Sequence, residues 1–206
     1  CALKSPLAEA EKALKKEGIM GTVTAGHPNL LSVMGMGEDS GKPFVAYELL
    51  KGEDIRQLMA QSPPFTLSVV IKIIKEVAGA LQHLHELGVV HRDVKPENIV
   101  IDVKENATDG LHVKSVKLID FGLMEVFDET RSSDGQIAGT KDYMSPEQTY
   151  NDVLDGRSDI FSLGIVFLEL LTRHNPFKDK VPIETIGNIQ YKEVPRELIA
   201  SFPRQL

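Results

Sequence analysis

Three patterns in the 206-residue sequence predict an α+β fold, with a small sheet-bearing N-terminal part followed by a mainly helical part. Between residues 66 and 87, Val70, Ile73, Ile74, Val77, Leu81 and Leu84 recur at steps of three and four, with Lys72, Lys75, Glu76 and Gln82 between them. Residues 158–172 are apolar nearly all round, so that segment belongs at the centre of a helical assembly. Before Gly52 the pattern changes to two apolar stretches, 30–36 and 43–50, around the turn-rich Glu38-Asp39-Ser40-Gly41-Lys42, which predicts a hairpin.

Along the chain, residues 7–20 form a charged helix, the hairpin follows, and a linker runs near 48–51. Pro63-Pro64 and Thr66 start the long helix, and Gly88 supplies a left-handed stop. Val89-Val90 then run extended into His91-Arg92-Asp93, so that motif hangs from a packed helix. The polar segment 102–115 reads as a surface insertion between the strand after Asn98 and the strand before Asp120.

Composition excludes several function classes. Thirty acidic residues against 23 basic ones give a formal charge of −7, which argues against a nucleic-acid binder that works by neutralising phosphates. The single cysteine, Cys1, excludes an internal disulfide framework, and no run of 18 apolar residues is present to span a bilayer. A reducing, cytoplasmic setting is the default expectation. The chain starts at Cys1 without a charged-then-apolar leader, so it is expected to be a piece of something longer. His83, His85, His112 and His174 lack metal-ligand spacing with cysteine and are read as polar helix or loop residues, with no zinc site proposed.

The most informative string is His91-Arg92-Asp93-Val94-Lys95-Pro96-Glu97-Asn98, answered by Asp120-Phe121-Gly122. An Asp, a Lys two residues on, an Asn five residues on and a second Asp in a later turn supply one base, one cation and two oxygen ligands. That is the inventory for moving a γ-phosphoryl group from Mg-ATP to a hydroxyl, a reaction that asks mainly for positioning and charge neutralisation. Mg²⁺ prefers hard oxygen ligands from one or two protein groups and completes its shell with phosphate and water.

With these motifs the chain resembles the protein kinases. The resemblance implies a bilobal kinase-like fold, with a partial small β-rich N-lobe over residues 1–50 and a mainly helical C-lobe over 51–206 that lacks its last helices. It implies that Asp93 receives or orients the substrate hydroxyl proton, that Lys95 neutralises the γ-phosphoryl oxygens, and that Asn98 and Asp120 hold magnesium. Lys95, with Thr140, implies Ser/Thr specificity. Tyr-Met-Ser-Pro-Glu-Gln at 143–148 and Ser-Asp-Ile-Phe-Ser-Leu-Gly at 158–164 are similar to bacterial serine/threonine kinases, and Asp159 is expected to brace the loop that holds Asp93.

Cys1-Ala2-Leu3-Lys4 resembles the family's third strand, whose Lys holds the α- and β-phosphates and pairs with a helix Glu. Glu17, ten residues before His27-Pro28-Asn29, is the candidate, with Glu11 as substitute. Val45-Ala46-Tyr47-Glu48-Leu49-Leu50 resembles the strand and hinge, with Tyr47 as gatekeeper and the backbone of Glu48 and Leu50 facing adenine. Ala2 and Val100 are implied above and below the ring, and Asp54 at the ribose. The segment between Asp120 and Glu147 resembles an activation loop, with Thr130, Ser132 and Ser133 as autophosphorylation candidates and Arg92 as the cation that clamps the phosphate.

The chain departs from the family pattern at both ends. The glycine-rich loop and the late Arg that partners the equivalent of Glu147 are missing, so Glu147 is expected to lack that partner. ATP and protein Ser/Thr hydroxyls are the implied partners of a Mg-dependent serine/threonine kinase; a non-catalytic kinase-like binding module, or an inactive fragment, is the alternative. A membrane anchor outside the chain is compatible with this reading.

Overall fold

A computed structural model describes residues 1–5, 11–61, 64–104, 111–126 and 141–196. The fold is mixed α+β. Strands β1 (Ala2–Lys4), β2 (Val33–Asp39) and β3 (Lys42–Tyr47) form an antiparallel sheet in the order β1-β3-β2. The hairpin is present, and Ser40 and Gly41 turn it at φ 51° and 80°, the left-handed region that Gly accepts without cost. Its first strand starts later than the sequence suggested. Leu30 instead forms a parallel bridge to Leu118, which ties this sheet region to the helical part of the chain.

Helix α1 (Glu11–Val23) packs on β3 and β2. It extends three residues past the expected end, while residues 7–10 of the expected helix lie outside the described ones. Gly18 and Gly21 set its distance from the sheet. A Cβ on Gly18 would sit 2.8 Å from Val45 Cγ2, and one on Gly21 would sit 2.4 Å from Val33 Cγ2 and 2.8 Å from Phe121 Cδ2. A side chain at either position requires these neighbours or the helix to shift.

The remainder is built on two helices. After β4 (Glu53–Asp54) and α2 (Ile55–Gln61) comes α3 (Leu67–Glu86), which buries Val70, Ile73, Val77, Leu81 and Leu84 of the predicted stripe together with Ala80, while Ile74 is only partly buried. Each of the larger side chains in that stripe contributes about 1.5–3 kcal/mol of burial. Gly88, at φ 73°, turns the chain into β5 (Val89–Val90), and the loop His91–Lys95 follows.

Strands β6 (Ile99–Val103) and β7 (Val113–Leu118) pair with each other and with β4 in the order β4-β6-β7, and β8 (Glu125–Val126) pairs with β5. The polar segment expected as an insertion over 102–115 is therefore too broad. Asp102 pairs with Ser115 and Val103 with Val113, so strand pairing claims both ends of it, and residues 105–110 lie outside the described ones.

Helices α4 (Pro146–Thr149), α5 (Gly156–Thr172) and α6 (Pro182–Tyr191) complete the fold. Helix α5 lies against α3, with Leu163, Ile165, Val166 and Leu170 in the core. It is central, but not because it is apolar all round. Ser158, Asp159, Ser162 and Glu169 are buried, whereas Ile160 is half exposed. The polar residues of α5 are the ones that reach the loops carrying the site. Among the described residues, no helix is long and apolar enough to cross a membrane.

Candidate active site

The loop after β5 is shaped by its own side chains before any ligand is considered. His91 is fully buried; its Nε2 lies 3.3 Å from the Ile119 carbonyl and its Nδ1 accepts the Asp93 N–H at 3.3 Å. Burial holds its imidazole below the usual histidine pKa, against the opposing pull of Asp159, Asp93 and Asp120. Asp159, nearly fully buried, accepts the backbone N–H groups of His91 and Arg92 and also faces His85 Nε2 at 2.8 Å. The turn passes through Arg92 at φ 70°, a left-handed geometry that a non-glycine residue adopts only when surrounding bonds enforce it. Gln148, in the capping box with Ser145 at the start of α4, donates to the Arg92 carbonyl at 3.0 Å.

This frame brings three of the predicted residues together. Lys95 Nζ donates to Asp93 Oδ2 at 2.6 Å, and Asn98 Nδ2 donates to the same oxygen at 2.9 Å and to the Asp93 carbonyl at 2.8 Å. With its amide nitrogen engaged twice by Asp93, Asn98 has its amide oxygen as its remaining polar atom, an acceptor. Asp120 also sits at a left-handed φ of 70°, where its Oδ1 accepts the Gly122 N–H at 3.0 Å. Asn98 and Asp120 both line a cleft of about 410 Å³.

The same cleft is lined by Ala2, Lys4, Glu17, Tyr47, Glu48 and Leu50. Lys4 Nζ lies 2.8 Å from both carboxylate oxygens of Glu17, so Glu17, not Glu11, is the helix partner in this structure. Tyr47 adds a hydrogen bond to Glu17. The Glu48 carboxylate is turned away to Lys117 Nζ at 2.6 Å and the Ser32 N–H at 2.8 Å, and these bonds hold its pKa down against the opposing effect of burial. Asp54 and Val100 face each other across β4 and β6; Asp54 Oδ1 accepts the Gln57 N–H at 2.9 Å, at the start of α2.

Two of the expected groups have partners in this structure. Arg92 is ion-paired with Glu125 on β8, so its guanidinium already has a carboxylate partner. Glu147 also has a partner, because the Ser158 hydroxyl donates to its carboxylate at 2.5 Å. Thr130, Ser132, Ser133 and Thr140 lie outside the described residues.

Sequence reading missed a second polar cluster. Arg56, on α2, donates to Glu97 at 2.9 Å and to Glu169 at 2.8 Å, and contacts the Tyr143 hydroxyl, which itself donates to Glu169 at 2.5 Å. Its members are 41 to 113 residues apart from Arg56, so no local pattern marks them; the signal was Glu169, a lone charge in the otherwise uncharged run 160–172. His85 was likewise read as an ordinary helix residue, whereas it faces Asp159.

Comparison with known proteins bears on the same residues. The protein kinase domain family matches residues 3–202. The chain is 42% identical over 149 residues to serine/threonine-protein kinase PknL of Mycobacterium tuberculosis, covering 72% of this chain and 35% of that protein. It is 37% identical over 158 residues to serine/threonine-protein kinase pkn3 of Myxococcus xanthus, covering 74% and 28%, and 32% identical over 152 residues to serine/threonine-protein kinase PrkC of Bacillus subtilis, covering 73% and 22%. The chain therefore spans about a third or less of the length of these curated relatives.

Proposed function

The chain belongs to the protein kinase domain family, and we propose on that premise that it is the catalytic part of a serine/threonine protein kinase that transfers the γ-phosphoryl group of ATP to protein Ser and Thr hydroxyls. The observation that carries the reading is the convergence of Lys95 and Asn98 on one oxygen of Asp93, in a loop whose backbone is fixed by Asp159. Oxygen Oδ2 of Asp93 is held by two donors, which leaves Oδ1 to accept the proton of an incoming hydroxyl. Lys95, next to it, is placed to offset charge on the transferred group.

Protein kinases generally use ATP and Mg²⁺. The donor set fits the metal: a carboxylate from Asp120 and an amide oxygen from Asn98 are hard ligands at the edge of one cleft. Among the described residues no three His, Cys, Asp or Glu side chains converge, so a cation here takes its remaining ligands from phosphate and water. When bound, magnesium neutralises phosphate charge; the chain's part is to hold Asn98 and Asp120 in place. Lys4, kept by Glu17, holds the α- and β-phosphates. Ala2, Tyr47, Glu48, Leu50 and Val100 enclose the adenine, and Asp54 reaches the ribose with the carboxylate oxygen not used at the start of α2.

In this reading residues 1–50 are the partial small lobe and 51–206 the helical lobe, and the chain works in the cytoplasm. Arg92 exchanges Glu125 for a phosphate placed on Thr130, Ser132 or Ser133. The test is acid hydrolysis of a generic protein substrate phosphorylated by the intact protein. Release of phosphoserine and phosphothreonine is expected, and a predominance of phosphotyrosine overturns the assignment.

A further inference from the structure

Tyr47 stands at the end of β3, paired with Ala2 on one side and Val33 on the other, and Lys4 lies two residues along β1 from Ala2. The sheet therefore fixes Tyr47 and Lys4 relative to each other. Glu17 comes from a separate element, α1, and is the member of the trio whose position depends on how the helix docks. The Tyr47 hydroxyl donates to Glu17 Oε1 at 2.7 Å, and Lys4 reaches the same oxygen at 2.8 Å.

These two bonds are not equivalent. Glu17 is 6% exposed and Tyr47 5%, whereas the Lys4 side chain is 51% exposed. Solvent screens an ion pair with a half-exposed ammonium, and its long side chain keeps other rotamers available. A hydrogen bond given to a carboxylate inside the protein is not screened in this way, and bonds to ionised groups are roughly twice as strong as neutral ones. A buried carboxylate with one screened partner is costly, so the phenol is the partner that makes the burial of Glu17 tolerable.

We propose that Tyr47 is a positioning residue for the Lys4–Glu17 pair: its hydroxyl clasps the Glu17 carboxylate, and with it α1, against the sheet before nucleotide arrives. The assignment deepens the kinase reading above and rests on it for the role of Lys4. The clasp holds throughout the working pH range, because burial, then the bond to Glu17 and the charges of Glu17 and Asp120, raise the phenol pKa above its ordinary value and keep the proton on Tyr47. It also complements the glycine face of α1. Gly18 and Gly21 permit close approach but contribute no side chain to hold the helix there, and the Tyr47–Glu17 bond supplies a directional tie beside them.

The experiment uses the intact protein with Tyr47→Phe, Lys4→Met and the pair, read by amide hydrogen exchange of residues 11–23 and by calorimetric ATP affinity. Tyr47→Phe keeps the ring, so exchange in α1 is expected to rise by about tenfold while α3 stays protected. ATP affinity falls by about tenfold in the Lys4 background and shows no further fall once Lys4→Met is present, because both residues act through Glu17. Unchanged α1 exchange, or the same loss of affinity in both backgrounds, overturns the proposal. The exchange arm needs no phosphoryl transfer, so a protein that proves catalytically silent fails the kinase reading without deciding this one.

Discussion

The carboxylate of Asp159 accepts the backbone N–H of Arg92 at 2.8 Å through Oδ1 and that of His91 at 2.9 Å through Oδ2, linking the first turn of α5 to the two residues that precede Asp93. A single side chain thus accepts both N–H groups at the left-handed turn that precedes Asp93. Asp159→Ala leaves the buried His91 N–H and its neighbour without acceptors, at about 1–3 kcal/mol each. Thermal unfolding is expected to shift down by several degrees and transfer to fall at least tenfold, with Asp159→Asn intermediate because it keeps one acceptor. A variant with unaltered unfolding and transfer would show that the turn stands without Asp159.

Gly21 lies where α1 meets Val33 and Phe121, the residue after Asp120. Gly21→Leu cannot be accommodated by a far-end rotation alone, since the clash begins at Cβ. The helix is expected to move outward and carry Glu17 from Lys4, with overpacking costing about 1–3 kcal/mol. ATP affinity measured by calorimetry should drop together with stability. Full affinity in this variant would mean that α1 tolerates displacement without loss of the pair.

Arg56 compensates two acidic groups from distant parts of the chain, Glu97 beside the Asp93 loop and the buried Glu169 of α5. Its own pKa is driven upward in spite of burial, by the bonds to Glu169 and Glu97. Arg56→Ala leaves Glu169 a buried carboxylate without its cation, and breaking such a pair costs on the order of 3–5 kcal/mol. Urea denaturation should show the loss at neutral pH and a partial recovery in Arg56→Ala/Glu169→Gln. Equal stability of the single and double variants would exclude an unpaired charge as the cause.

The buried His91 gives stability a pH dependence of defined sign. Its folded pKa is lowered from 6.5 by burial, so the native state resists the proton that the unfolded chain accepts. The stabilisation is complete above about pH 6.5 and is lost as pH falls through that value toward the folded pKa. His27, lowered by burial, His83 and Lys117, acts in the same direction. Protonating His91 Nδ1 also removes the acceptor for the Asp93 N–H. Urea midpoints at pH 7.5, 6.5 and 5.5 should therefore decrease in that order, and a midpoint that rose on acidification would contradict the neutral, buried imidazole.

How much of this was legible in the sequence varies with the range of the interaction. The stripe on α3, the stop at Gly88 and the hairpin at Ser40-Gly41 are local, and periodicity and turn chemistry place them within a few residues. The convergence of Asp93, Lys95 and Asn98 was readable because six consecutive residues contain it. The Arg56–Glu169 cluster and the contact of His85 with Asp159 were not, since they join residues 113 and 74 positions apart. Charge balance also escaped a motif reading. Arg92 pairs with Glu125, and Glu147 bonds to Ser158, because the folded chain satisfies groups that a family pattern assigns to other partners.

The most direct test of the account is Asp93→Asn in the intact protein, with ATP affinity by calorimetry and radiolabelled phosphate transfer measured side by side. Asn keeps the shape of the side chain but cannot take the hydroxyl proton, so affinity should stay within a few-fold while transfer falls by about 10² or more. Transfer at the unmodified rate would remove Asp93 from the mechanism and the proposed phosphoryl-transfer site with it.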